Sequence, residues 1–168
     1  MKNKITVLYQ KWSGLKPFNY IIVTILFMIV LEIPIQLVFE YLDISDDKFG
    51  GFNPDDFGVF TLIFLSLILA PILETLVSQL IPIEVSQAFF KNSGNIIGIT
   101  IATIIFSSMH LSYSIWYAIA VMPSGFLFAH TYIIFQKRKE SSFWMASILH
   151  ASINLIPLTI DLTDRFIK

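Results

Sequence analysis

Five segments of this chain are apolar over lengths rarely found in soluble domains. They cover approximately residues 18–42, 58–83, 95–110, 112–136 and 143–160. A helix needs about 20 mostly apolar residues to cross a lipid bilayer. The pattern therefore predicts an all-α, polytopic membrane protein, a bundle of about five transmembrane helices.

Composition narrows the class further. The chain has 168 residues, of which 55% are hydrophobic and 14% charged, so we predict one integral membrane domain over residues 1–168 surrounded by lipid. A net charge of −1 argues against a nucleic-acid partner, which would require a basic surface. The chain contains no cysteine, which excludes disulfides, thiolate nucleophiles and cysteine-based zinc sites. The sequence does not predict an oligomeric state.

The distribution of charge between the apolar segments predicts the orientation. Residues 1–17 carry four lysines and no acidic residue, whereas residues 43–56 form an acidic, turn-rich loop. Further basic residues at Lys91 and at 137–139 fall on the same predicted side as the N-terminus. Because short cytoplasmic loops are enriched in lysine and arginine, we predict a multi-pass protein of the cell membrane with a cytoplasmic N-terminus. The 43–56 loop is then extracytoplasmic.

Two residues interrupt the first apolar segment. Glu32 lies within it, and Pro34 follows two residues later. We interpret Glu32 as a hydrogen-bonded structural residue and expect Pro34 to mark a broken or interfacial turn.

The second apolar segment contains a row of polar residues from 74 to 79. Glu74 lies where hydrocarbon would be expected, at a cost of roughly 2.5 kcal/mol or more, so by default it marks a functional site. A helix places residues four apart on one face. Glu74 and Ser78 therefore share one face, and Thr75 and Gln79 share the neighbouring one.

Two later segments contribute further polar pairs. Phe106 and His110 are one helical turn apart, as are His150 and Asn154. Either histidine alone could be a structural residue, and His150 with Asn154 could simply join two helices, since such hydrogen bonds contribute about 0.6 kcal/mol on average. His130 has no polar partner at helical spacing, and we interpret it as structural. The combination predicts a polar site between the second, third and fifth spans.

These motifs resemble those of the CPBP membrane proteins, which include the CAAX prenyl proteases and the bacteriocin-processing and Abi-type proteins. The family pattern places A-P-x-x-E-E-x-x-x-R, F-x-x-x-H and H-x-x-x-N/D on successive membrane helices. The matching residues are Ala70, Pro71, Glu74, Phe106, His110, His150 and Asn154, and the resemblance covers a catalytic core at about 69–155.

The chain departs from the family pattern at two positions. The second glutamate is Thr75 here, and the arginine is Gln79. In the family form these residues can pair as ions along one helix. We predict that the Thr75 hydroxyl and the Gln79 amide form a neutral hydrogen bond in its place.

The resemblance implies an intramembrane endopeptidase that hydrolyses a peptide bond in a peptide or membrane protein. Glu74, helped by His110, would take a proton from the attacking water. His150 and Asn154 would stabilise the oxyanion, while Thr75, Ser78, Gln79 and Phe106 would support the site. On this reading we expect no cofactor.

Several alternatives remain open at this stage. A zinc ion bound by Glu74, His110 and His150 ranks lower, because asparagine is a poor zinc ligand and the sequence has no H-E-x-x-H motif. A catalytically inactive relative could act as an immunity or scaffold protein. A small proton-coupled transporter fits less well, since no inverted repeat is visible.

Depth in the membrane raises a difficulty for this site. From the predicted span ends and a rise of about 1.5 Å per residue, Glu74 lies about 10 Å deep, but His110 lies about 22 Å deep. The sequence estimate therefore separates the proposed base from its partner.

Overall fold

The structure, a computed structural model, describes residues 3–50 and 56–167. We number its main helices α1 to α7 in chain order. They are α1 (Lys4–Ser13), α2 (Pro17–Tyr41), α3 (Val59–Phe89), α4 (Gly94–Met109), α5 (Ile115–Ala120), α6 (Met122–Gln136) and α7 (Ser142–Ile167). No strand occurs in these residues. The predicted all-α, polytopic membrane fold is confirmed.

Four helical stretches are long and apolar enough to cross a membrane. They are α2, α3, α7 and Gly94–Ser112, which consists of α4 and the 3₁₀ turn His110–Ser112 that follows it. The predicted fourth span, 112–136, is instead two shorter helices, α5 and α6. The break falls at Val121, because Pro123 suits the first turn of a helix but lacks the N–H needed inside one. The count of five spans stays a prediction.

The long helix α3 contains two π-helical segments, Leu65–Leu69 and Thr75–Leu80. Each segment ends two residues before a proline, Pro71 or Pro82. A proline ring inside an α-helix clashes with the carbonyl of residue i−4. The wider π geometry, in which bonds run from i to i−5, lets α3 continue through both prolines.

Helix α6 lies at the centre of the bundle and packs against α2, α4 and α7, with most of its residues buried. Helix α4 also packs closely on α3. A Cβ added to Gly94 would lie 2.7 Å from the Gln87 Cα, and one added to Gly98 would lie 3.1 Å from the Ile83 Cα. Glycines at such positions let two membrane helices approach closely.

Helix α2 runs unbroken through Pro34, so the predicted break there is wrong. Helix α1 precedes it and packs back on the bundle, with Trp12 donating from its indole Nε1–H to the Thr24 hydroxyl at 3.0 Å. Trp12 also stacks on His130. This histidine lies among aromatic side chains of α1 and α6, apart from the other two histidines.

The segment between α2 and α3 is described only in part. Residues 51–55 of the predicted acidic loop lie outside the described residues, as do Met1, Lys2 and Lys168. Before this gap a helical turn, Asp46–Phe49, packs on α5. The Ser114 hydroxyl donates to the Phe49 carbonyl, and the Phe49 ring lies against Phe39 and Tyr117.

Candidate active site

Glu74, His110 and His150 meet between α3, the end of α4 and α7. The Glu74 Oε2 atom lies 3.9 Å from His110 Nε2 and 3.8 Å from His150 Nε2. Oε2 is buried and has no hydrogen-bond partner within the described part of the chain. These separations exceed a direct hydrogen bond but suit one water molecule bridging the three atoms.

The structure corrects the sequence estimate of depth. That estimate measured Glu74 from a predicted helix end at Ile83, but α3 continues to Phe89. Glu74 therefore lies about 22 Å along the axis from the end of its helix. His110 was estimated to lie about the same distance from the start of α4, so the two depths agree. The apparent mismatch between the two residues came from the misplaced boundary.

Hydrogen bonding fixes the orientation of the His110 ring. His110 Nδ1 lies 2.8 Å from the Phe106 carbonyl oxygen, which can only accept, so Nδ1 carries the proton. In the neutral ring Nε2 is then an acceptor facing Glu74. The ring also stacks on Tyr117, with centroids 5.6 Å apart.

His150 is held by aromatic packing. Its side chain stacks on Phe128 at 4.6 Å and meets the edge of Phe106 at 5.6 Å. Phe106 also packs against His110, at 4.8 Å, so one phenylalanine positions both imidazoles. His150 Nδ1 is buried and has no partner among the described residues.

Asn154 joins α7 to the first π segment of α3. Its Nδ2 donates to the Ser66 carbonyl at 3.0 Å. Pro71 leaves that carbonyl without a backbone partner. The Ala70 N–H bonds to the Leu65 carbonyl, five residues earlier, and in the same register the Ser66 carbonyl would accept from the N–H of residue 71. Residue 71 is a proline and has no N–H. One hydrogen of the Asn154 amide is thus used for positioning, and the other remains available.

The predicted hydrogen bond between Thr75 and Gln79 is wrong. Within the described residues, Thr75 Oγ1 and Gln79 Oε1 have no partner, and Gln79 Nε2 donates to Ser78 Oγ at 2.7 Å. Both residues lie in the second π segment, where the repeat is close to five residues and side chains four apart no longer align. Ser78 keeps its relation to Glu74 by donating to its backbone carbonyl at 2.6 Å.

A cavity of about 320 Å³ lies beside these groups. His110, His150 and Asn154 line it, whereas Glu74 does not and lies against the two imidazoles. Sequence reasoning missed the remainder of the wall, including Ser124 and Tyr117. Glu32 also lines the cavity, and the sequence signal that could have assigned it there is the rarity of ionisable residues inside membrane segments.

The described residues contain no group of three or more His, Cys, Asp or Glu side chains that could hold a metal ion. The zinc alternative and the metal-free reaction are distinguished by the chelation experiment described below.

Fold and site together define a polytopic membrane protein with a carboxylate and two imidazoles converging beside an intramembrane cavity. A family model described as type II CAAX prenyl endopeptidase Rce1-like matches residues 56–156. The chain belongs to this family of membrane proteases, which act on peptide substrates. No curated protein and no solved structure matches the chain significantly. The family match supports neither the inactive-relative nor the transporter alternative.

Proposed function

We propose that this protein is an intramembrane endopeptidase that hydrolyses peptide bonds without a metal ion. The observation that carries the proposal is the approach of Glu74 Oε2 to both imidazole Nε2 atoms, beside a cavity that could hold an extended peptide. The reaction consumes one water and produces a new carboxyl terminus and a new amine.

The attacking water would lie between Glu74 and His110. Both groups face it as acceptors, since His110 Nδ1–H is committed to the Phe106 carbonyl. The water donates one hydrogen to each, and its oxygen attacks the scissile carbonyl as Glu74 takes the proton. Glu74 then delivers that proton to the leaving amine.

His150 and Asn154 would stabilise the oxyanion. They lie one helical turn apart on α7, and both line the cavity. The free Asn154 amide hydrogen and an imidazole N–H of His150 would supply donors to the developing negative charge. Donors fixed in place before the reaction stabilise such a charge most effectively. The bond to Ser66 and the packing on Phe128 provide that fixation.

The proposal is tested by comparing membrane-associated peptides in cells that carry the wild-type protein with those in cells that carry Glu74→Gln. We expect products present only with the wild type, each with a precursor that accumulates in the variant. Identical peptide profiles would contradict the proposal. For the purified protein, cleavage that survives extensive treatment with EDTA and 1,10-phenanthroline supports the metal-free reaction, whereas loss restored by zinc supports the alternative.

A further inference from the structure

Helix α2 supplies one wall of the cavity. Its contribution includes Glu32, and Gln36 follows one helical turn later. The family match begins at residue 56, so this wall lies outside the matched segment. It is therefore a place where this chain can differ from relatives in what it binds.

The polar residues of α2 form a stripe that extends away from the histidines. Glu32, Gln36 and Glu40 are spaced by four residues and share one helix face. A second cavity, of about 400 Å³, is lined by Gln36 and Glu40. Because Gln36 and Phe49 line both cavities, the two spaces adjoin, and the stripe connects the histidines to the end of α2 near Tyr41.

Two carboxylates, those of Glu32 and Glu40, lie along this stripe. No lysine or arginine is among the described residues that line either cavity. Glu32 Oε1 accepts one hydrogen bond, from Ser124 Oγ at 3.3 Å, and a carboxylate can accept several more. Carboxylates facing a partly enclosed space of low dielectric attract a cation strongly.

A second observation indicates that the cavity receives a ligand. His150 also lines it, is only 4% exposed, and has a buried Nδ1 with no partner in the described part of the chain. Buried polar atoms are normally hydrogen-bonded. An imidazole with an unpartnered nitrogen and a carboxylate with no basic neighbour among the described lining residues face the same cavity from α7 and α2, and they fit a peptide that brings a hydrogen-bonding group and a positive charge.

We propose that the α2 stripe binds a cationic side chain of the substrate, with Glu32 pairing with a lysine or arginine close to the peptide bond held at the histidines. This assignment rests on the proposed function and adds the class of substrate to it. Pairing would offset the cost of bringing a charged side chain to membrane depth. Glu40 would attract the same charge nearer the end of α2.

Binding is measured in the Glu74→Gln protein in detergent, so that cleavage does not interfere. The probes are fluorescent 12-residue amphiphilic peptides identical except for lysine, norleucine or glutamate at one position, which is moved along the peptide across the set. We expect the best lysine peptide to bind about tenfold more tightly than its norleucine counterpart. The additional substitution Glu32→Gln should reduce this ratio to about one.

Two control variants separate binding from a structural role of Glu32. Ser124→Ala removes the hydrogen bond that joins α2 to α6 but keeps the carboxylate, so the lysine preference should persist. Asp164→Asn removes a carboxylate far along α7 that lines neither cavity, and it should also preserve the preference.

A lysine preference that survives Glu32→Gln would overturn the assignment. The assignment would also be overturned if, in the protein that retains Glu32, the lysine and norleucine peptides bind equally or neither binds. The proposed function can be contradicted independently of this assignment. If the protein with Glu74 intact cleaves none of the peptides that bind with a lysine preference, the endopeptidase proposal is wrong while the cationic binding stripe stands.

Discussion

At the residue scale, two of the three histidines share an environment that the third does not. His110 and His150 approach Glu74 and contact Phe106, whereas His130 lies between Trp12 and Phe126. The sequence separates His150 from His130, because His150 has a polar partner, Asn154, one helical turn away and His130 has none. It does not separate His110 from His130 in this way, because each follows a phenylalanine by four residues. The distance between His110 and His150 was not readable, since it depends on how three helices pack.

His110 and His130 therefore form a matched pair for mutagenesis. We expect His110→Ala to lower kcat for a reporter peptide by about a hundredfold, because the attacking water loses one of its two acceptors. His130→Ala removes an aromatic contact outside the site, so it should lower thermal stability but leave kcat of the folded protein unchanged. Equal effects of both substitutions on kcat would argue against a role for His110 at the water.

The predicted hydrogen bond between Thr75 and Gln79 failed because the sequence pattern did not give the helix type. An i, i+4 pair predicts a contact only if the helix is α-helical. The intervening backbone is π-helical, and this changes the register of every side chain after Glu74. The sequence does contain the cause, in Pro71 and Pro82, but the response of a helix to a proline can be a kink, a break or a π segment.

At the element scale, Pro71 links the shape of α3 to the position of Asn154. Pro71→Ala restores an N–H that can bond within the helix, either to Ser66 or, if the segment returns to α-helix, to Leu67. We expect kcat to fall at least tenfold, because Asn154 loses its acceptor or Glu74 rotates about the helix axis. Thermal stability should be kept or increased.

Pro34→Ala is the control for Pro71, because it lies inside α2 with no π segment before it. It should change kcat by less than twofold. A Pro71→Ala protein with normal kcat would show that the π segment does not position the site.

Gly125 on α6 is a second element-scale determinant. A Cβ at this position would lie 2.7 Å from Phe106 Cδ1, and Phe106 contacts both site imidazoles. Gly125→Ala should destabilise the protein by about 1–3 kcal/mol and lower kcat, because Phe106 must move. Gly58→Ala places a Cβ in open space and should do neither. Thermal unfolding and cleavage of the same reporter peptide measure both effects.

At the scale of the whole molecule, apolar length predicted the all-α membrane fold correctly but misjudged the fourth segment. Residues 112–136 are as apolar as a spanning helix, yet they divide into α5 and α6, and most of α6 is buried among other helices. Hydropathy does not distinguish a helix buried in protein from one facing lipid. The cavity also lay beyond sequence analysis, because five separate parts of the chain form its wall.

The orientation of the bundle can be measured directly because the chain contains no cysteine. We expect Ser45→Cys, after α2, to react with a membrane-impermeant maleimide in intact cells. Ser93→Cys, between α3 and α4, should react only after permeabilisation. Both residues are exposed, so access to the reagent depends on the side of the membrane. The reverse labelling pattern would place the N-terminus outside.

The central claim is that Glu74 activates the water that hydrolyses a peptide bond. Its most direct test is the rate of reporter-peptide cleavage by purified wild-type and Glu74→Gln proteins with matched thermal unfolding. Glutamine keeps the shape of the side chain but cannot take the proton, so we expect the rate to fall by a hundredfold or more. A Glu74→Gln rate within about threefold of the wild type would contradict the account.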